Sequence, residues 1–305
     1  MLSVTFLGTG AACPTVDRNV AGLALQREGE TILFDCGEGT QRQMMRYGVS
    51  FSFTEVYFSH FHADHFLGIT GLLRTLGLQD RQAPLTLYGP RGAERVLGQA
   101  VSLGAERPKF PVEIRELKAG EVLKRKEYDI VAFPAEHRGE SFGYAVAEHL
   151  RLGRFDPEQA RALGIPEGPL WGRIHRGEDV TLPDGRVIRS EELVGHPRPG
   201  RTVVYTGDTR PCRSVTEAAR GADLLVHEAT FGDDERDRAR ETGHSTARQA
   251  AEVARTAGVR RLALTHISAR YTREAPELLA EAREVFPEVA VARDGMRVEV
   301  GYQEG

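Results

Sequence analysis

Residues 59–68 read SHFHADHFLG and hold His60, His62, Asp64 and His65 within one short segment. Histidine occurs 10 times in 305 residues. From composition alone, three His and one Asp at fixed places arise on the order of 1 time in 2,000 in a chain of this length. A solvated polar turn therefore explains the segment poorly. Imidazole and carboxylate without thiolate suit zinc in a hydrolytic site, with manganese or iron as alternatives. Residues two apart in an extended segment point the same way, so His60 and His62 can share one ion. Asp64 and His65 begin the next helix and can reach a second ion. Four ligands do not saturate two ions, so others must come from elsewhere in the chain.

The elements around the motif supply them. A strand is expected at 55–59, ending at the motif, and a helix at 66–78, with Phe66, Ile69, Leu72, Leu73 and Leu76 on one face. Three further candidates each follow a predicted strand: His137 after 128–133, Asp208 after 202–206 and His266 after 261–265. Open α/β sheets place ligand sites just beyond the carboxyl ends of their strands. Other strands are expected at 3–7, 22–26, 31–35, 85–88, 112–116, 142–147, 223–226 and 298–300, and helices from 89 through 101 and at 214–220, 245–257 and 276–285. Strands and helices mixed in both halves predict a layered α/β fold.

HFHADH with later His, Asp and His at these spacings resembles the metallo-β-lactamase superfamily. More closely, the chain resembles the bacterial ribonuclease Z family. The matching segments are FLGTGAACPTVDRN (6–19), FDCGEGTQRQM (34–44), VVYTGDTRP (203–211), VHEAT (226–230), HST (244–246) and LTHISARY (264–271). The resemblance implies a four-layered αββα sandwich with two Zn2+ per chain. His60, His62 and His137 would bind one ion, Asp64, His65 and His266 the other, and Asp208 both. It implies removal of the 3′ trailer from precursor tRNA, leaving a 3′-hydroxyl on the tRNA and a 5′-phosphate on the trailer. Asp64, the motif carboxylate on the helix side, is the expected proton acceptor. Glu228 and His244 are the expected pair that protonates the leaving group. A homodimer is also implied. The alternative reading is a small-molecule phosphodiesterase or arylsulfatase-like hydrolase of the same superfamily. A non-catalytic RNA-binding subunit is disfavoured because all seven ligand candidates are present.

Residues 149–201 differ from the rest, with 6 of the 15 prolines and 8 of the 33 glycines. The stretch reads as an inserted arm over about 150–200 within a single domain. Its GIPEGPLWG (164–172) resembles the family's tRNA-binding arm. Nine Arg there face eight Asp or Glu, so the arm is not strongly basic. Trp171 is expected to pack rather than stack on RNA, and His149, His175 and His196 to be exposed. In the resembled family the loop Pro-x-Lys-x-Arg-Asn discriminates against CCA ends; here 14–19 keeps Pro14, Arg18 and Asn19 but has Val16 for Lys. The cut position relative to CCA is left open by that change.

Composition limits the remaining classes. The net charge is −4, with 4 Lys against 36 Arg, which excludes a polycation that holds nucleic acid by bulk charge. Divalent ions would supply cationic charge that this count omits. Cys13, Cys36 and Cys212 form no CxxC pair, so neither a disulfide scaffold nor a Cys-rich zinc finger is expected. No apolar run reaches the roughly 18–20 residues that span a bilayer. The first seven residues meet Gly-Thr-Gly at once and do not read as a signal peptide; a cytoplasmic protein is expected.

Overall fold

Alternation along the strands builds two faces. In the first strand, Leu2, Val4 and Phe6 point one way and Leu7 the other, and all are buried. The computed structural model describes residues 1–104, 107–271 and 273–303. Its elements begin with β1 (Leu2–Gly8), β2 (Gly22–Arg27), β3 (Glu30–Phe34), α1 (Thr40–Tyr47), β4 (Glu55–Tyr57), α2 (Ala63–Phe66) and α3 (Gly68–Leu78). Then come β5 (Leu85–Gly89), α4 (Ala93–Ser102), β6 (Val112–Glu116), β7 (Val122–Lys124), β8 (Tyr128–His137) and β9 (Gly139–Glu148). After these follow α5 (Pro157–Ala162), α6 (Pro169–His175), β10 (Val180–Thr181), β11 (Val187–Ile188), β12 (Thr202–Tyr205) and α7 (Arg213–Ala218). The chain closes with β13 (Leu224–Glu228), α8 (Arg236–Thr242), α9 (Ala247–Ala257), β14 (Leu262–Thr265), α10 (Pro276–Arg283), β15 (Val289–Val291) and β16 (Arg297–Glu299).

Two seven-stranded sheets have the orders β16-β1-β2-β3-β4-β5-β6 and β15-β14-β13-β12-β9-β8-β7. Leu33, Val56 and Leu87 of the first sheet pack with Met44, Leu72, Leu76 and Leu97 of α1, α3 and α4. Val204, Leu225 and Leu264 of the second pack with Val215, Ala250, Ala254 and Leu278 of α7, α9 and α10. The inner faces meet through aromatic rings: Phe34 lies 5.5 Å from Tyr144 and 5.9 Å from Tyr205, and Tyr57 lies 5.3 Å from Tyr144. This is the αββα sandwich the sequence implies. Helix α9 shows how sequence sets a boundary. Thr246 caps it in a reciprocal box with Gln249, and Gly258 ends it in the left-handed region.

The contacts divide the chain into two compact units. The first holds Met1–Arg125, Asp129–Ala147 and Thr202–Gly301, and the second Lys126–Tyr128, Glu148–Arg201 and the C-terminal residues from Tyr302. The second unit is ordered locally. Asp156 caps α5 by accepting from the amides of Glu158 and Gln159 at 3.0 and 2.9 Å, with Pro157 in the first turn. β10 and β11 pair antiparallel around Pro183-Asp184-Gly185. Ala160, Ile165, Ile174, Val180, Leu182, Ile188 and Leu193 form a small core. Trp171 is half-buried against Phe155, with ring centres 5.2 Å apart, and donates to the Ile165 carbonyl at 3.2 Å. At the base of the insertion, Arg201 grips Glu148 with two parallel bonds of 2.8 and 2.7 Å.

Three sequence expectations change. The expected helix at 66–78 is two, α2 and α3, with Leu67 between them. The strand expected at 128–133 runs on to His137 through polar residues and Pro134 that break the apolar alternation, with Glu136 bridged antiparallel to Arg210. His175 is half-buried, its Nε2 2.9 Å from the Gly153 carbonyl, while His149 and His196 are exposed. No helix among the described residues is long and apolar enough to cross a membrane.

Candidate metal centre

The candidate ligands all belong to the first unit and sit at strand ends or on the short helix that follows one. β12, β13 and β14 are parallel neighbours, as are β3, β4 and β5, so within each group the carboxyl ends emerge on one edge. His60 lies just beyond β4, His137 ends β8, Asp208 follows β12, Glu228 ends β13 and His266 follows β14. Asp64 and His65 come from the single turn of α2. The backbone is shaped for this. Gly207 has φ +59°, and a Cβ there would stand 2.6 Å from the Cβ of Ser59. His266 and Asp35 are held at φ 57° and 56° without being glycine, a sparsely populated conformation that surrounding contacts must enforce.

The side chains form two sets that share Asp208. In one, His60 Nε2 lies 3.0 Å from His62 Nδ1, and His137 Nε2 lies 3.1 Å from that same atom. Asp208 Oδ2 is 3.6 Å from His60 Nε2 and 3.8 Å from His137 Nε2. In the other, His65 Nε2 and His266 Nε2 are 3.3 Å apart, and Asp64 Oδ2 is 3.6 and 3.2 Å from them. Asp208 reaches this set too, with Oδ2 3.4 Å from His65 and Oδ1 3.4 Å from His266. Ligands at 2.0–2.1 Å from a tetrahedral ion stand about 3.3–3.4 Å from each other. Asp208 Oδ1 is buried without a hydrogen bond. Imidazole and carboxylate donors, separations near that edge length and an unsatisfied buried carboxylate oxygen all fit a metal site.

The other ring nitrogens explain why these atoms face inward. His60 Nδ1 lies 3.0 Å from Ser59 Oγ, which itself donates to Asp35. His65 Nδ1 is 2.7 Å from Asp35 Oδ2, His137 Nδ1 2.8 Å from the Gly243 carbonyl, and His266 Nδ1 2.9 Å from Thr230 Oγ1. Thr230 Oγ1 already donates to Glu228. Each partner accepts, so each Nδ1 carries the proton and each Nε2 presents a lone pair. Burial pushes the His60, His62 and His137 pKa values down, toward the neutral form that binds metal. Burial opposes charge on Asp64, but His266 and His65 outweigh it and hold the carboxyl below its ordinary range.

Beside the two sets stands a second arrangement. Glu228 Oε1 is 2.8 Å from His244 Nδ1, and Glu228 also accepts from the amides of Thr209 and Thr230. Burial resists charge on both partners, yet their attraction lowers the Glu228 pKa and lifts His244 to about 9. The His244 ring stacks on His266 at 5.3 Å. A steered imidazolium next to a metal site can donate a proton to a leaving group. His227, next in sequence, is buried on the other face of β13 with its Nδ1 2.7 Å from the Glu228 carbonyl, and takes no part.

Comparison with known proteins decides the family. The chain is 61% identical to a ribonuclease Z of Gemmatimonas aurantiaca, covering 99% of this chain and 97% of that one. The chain belongs to the ribonuclease Z family. A ribonuclease Z of Myxococcus xanthus is 56% identical, with 98% of each chain covered. The family model of the anti-Pycsar protein Apyc1 matches residues 2–147, and that of the β-lactamase superfamily domain matches 170–267. Among solved structures, the short form of human tRNase Z matches at 29% identity and TM-score 0.70, covering 98% of this chain and 99% of that one. A metallo-β-lactamase fold protein of Bacillus subtilis has TM-score 0.69 at 20% identity, covering 97% and 98%, a likeness of fold.

All seven ligand candidates of this ribonuclease Z family chain meet in the two sets, and His244 and Glu228 pair beside them. Sequence reasoning missed the residues behind the ligands: Asp35, Ser59, Thr230 and the Gly243 carbonyl. Asp35 had a usable signal, since it follows β3 just as Asp208 follows β12. Arg18, kept from the family loop, is 3% exposed and bonds to Thr9 Oγ1 and the carbonyls of Ala292 and Arg273, so it braces the loop. Val16 is fully exposed at its tip.

Proposed function

We propose that this chain is the endoribonuclease that removes the 3′ trailer from precursor tRNA, with two Zn2+ per chain. The observation that carries the reading is the pairing of two ligand sets through Asp208, with the Glu228–His244 pair beside them, in a ribonuclease Z family chain. His60, His62 and His137 would hold one ion, Asp64, His65 and His266 the other, and Asp208 would be shared by the two sets. When bound, the ions neutralise charge on the phosphodiester and bring the pKa of water near neutrality.

The chain's own groups then move the protons. Asp64 Oδ2 accepts from the Ala12 amide and faces the same set as His65 and His266, and its Oδ1 takes the proton of the attacking water. His244, protonated on both nitrogens, gives its Nε2 proton to the leaving 3′-oxygen of the tRNA. Glu228 fixes the ring for that transfer. The P–O bond to the tRNA breaks as the bond to water forms, leaving a 3′-hydroxyl on the tRNA and a 5′-phosphate on the trailer. The second unit is the tRNA-binding arm of this reading, and its residues position the RNA body through phosphate contacts. A cytoplasmic homodimer completes it.

End-mapping of precursor tRNA cut by purified protein, with and without an encoded CCA, tests the reading. Expected are a tRNA 3′-hydroxyl, loss of cutting on chelation and recovery with two equivalents of zinc. A 3′-phosphate on the tRNA overturns the mechanism. Faster turnover of cyclic nucleotides or sulfate esters than of precursor tRNA would favour the small-molecule hydrolase.

A further inference from the structure

A polar cavity of about 270 Å3 opens in the first unit between residues 15–19, α1 and Arg273. Three guanidinium groups line it: Arg42, Arg46 and Arg273. Arg42 and Arg46 are four apart on α1 and share a face. Among the described residues none of the three makes an ion pair, and all are exposed. Arg273 is set in place by its backbone, whose carbonyl accepts from buried Arg18 at 2.7 Å. Two carboxylates also line the cavity. Asp294 is already engaged by Thr9 Oγ1, the Asn19 amide and Gln43 Nε2 at 2.8, 2.6 and 2.7 Å. That leaves Asp17 facing three cations. Tyr47 adds an aromatic wall, with the Arg46 guanidinium 5.5 Å from its ring centre.

The cavity is tied to the metal centre through the chain. The Ala12 amide donates to Asp64 Oδ2 at 2.8 Å, and Thr15, three residues on, lines the cavity. Three residues span at most roughly 11 Å. The two sites therefore lie within a short stretch of nucleic acid of one another.

We propose that this cavity is an anion subsite for a backbone phosphate of the single-stranded trailer, next to the scissile bond. The proposal rests on the function proposed above. Guanidinium forks match phosphate oxygens bidentately and do so without reading sequence. An adjacent ring offers a stacking face to any base. The cavity is too small for a duplex, and the trailer is the extended single strand at the cut.

The Arg42→Ala/Arg46→Ala double variant and Arg273→Ala test this, since all three side chains are exposed and, among the described residues, make no ion pair. Steady-state cleavage of precursor tRNA is measured across a salt series, with bis(p-nitrophenyl) phosphate as a second substrate. Expected is a rise of about tenfold in KM for precursor tRNA and a salt slope shallower by about 0.7 for each phosphate no longer neutralised. Hydrolysis of the small diester stays at wild-type rate. Competition by tRNA ending at its mature 3′ end is unchanged. Wild-type KM and salt slope in the variants would overturn the subsite, as would an equal weakening of the mature competitor. Lost inhibition by inorganic phosphate with an unchanged KM would make this a free-phosphate site and also overturn it. A wild-type protein that cuts no precursor tRNA would remove the function itself, and the subsite with it; failure confined to the variants would leave the function standing.

Discussion

The strand-end rim of the first unit and the surface of the second unit use charge in opposite ways. At the rim, Asp208 and Glu228 are 2% and 0% exposed, and each buried imidazole has an acceptor behind it. In the second unit, Arg161–Glu167, Arg173–Glu178 and Arg186–Asp184 pair at the surface with side chains about half exposed. Solvent-screened pairs of this kind do little to hold a fold. The rim commits its charges to one geometry, and isolated buried charge is costly unless partnered. Beyond the buried Arg201–Glu148 pair at its base, the second unit leaves these ion pairs at the surface and is held by caps, turns and seven buried apolar side chains. Chemistry on a phosphodiester needs the first arrangement, and the RNA contact proposed for the second unit tolerates the second.

The comparison is broken most severely at His244. His244→Ala should lower turnover of precursor tRNA by about 10²–10⁴-fold, the usual contribution of a positioned acid. Metal content, measured by elemental analysis, should stay at wild type, because the seven proposed ligands are intact. Loss of metal would make His244 a structural member of the site instead. A smaller effect is expected one layer further back. Asp35 accepts from the Ser59 amide and hydroxyl, from Tyr205 Oη and from His65 Nδ1 at 2.7–2.8 Å. Asp35→Asn should weaken zinc affinity by about 10–100-fold, read by competition with a chromophoric chelator. Unchanged zinc affinity would show that His65 holds its orientation without the carboxylate.

Sequence patterns exposed the rim more fully than the arm, for a physical reason. Residues able to bind metal are chemically distinctive, and the candidates His60, His62, Asp64 and His65 are local, so their types and spacing are visible without a fold. His137, Asp208 and His266 became candidates because parallel strands bring their carboxyl ends to one edge. Thr230 and Ser59 work by hydrogen bonds that form only once sheets from distant parts of the chain meet, and an isolated Thr or Ser gives no such sign; Asp35 shares the strand-end position of Asp208, but its partners come from three separate segments. The core of the second unit was missed for another reason. Ala160, Ile165, Ile174, Val180, Leu182, Ile188 and Leu193 come from elements of two to seven residues and the turns between them. No window there is long enough to carry a helical or strand period. Helix α1 and strand β15 were missed similarly: α1 has a weak apolar face, with Met44 its one fully buried apolar side chain, and β15 has three residues.

The smallest effect on chemistry should come from that core. Ile174 is fully buried in the second unit, and Ile174→Ala removes packing worth about 2–5 kcal/mol in a typical interior. Few apolar contacts support the unit, so such a loss should open it locally rather than unfold the chain. Hydrogen exchange should then speed up through α5, α6 and the β10–β11 hairpin while α9 and the strands β12–β14 keep their protection. Zinc content and bis(p-nitrophenyl) phosphate turnover should match wild type, because the ligand sets and His244 lie wholly in the first unit. Precursor tRNA should show a several-fold higher KM with little change in kcat. If the small diester slowed as well, the two units would share one cooperative core, and the separation between a rigid chemical rim and a lightly held arm would fail.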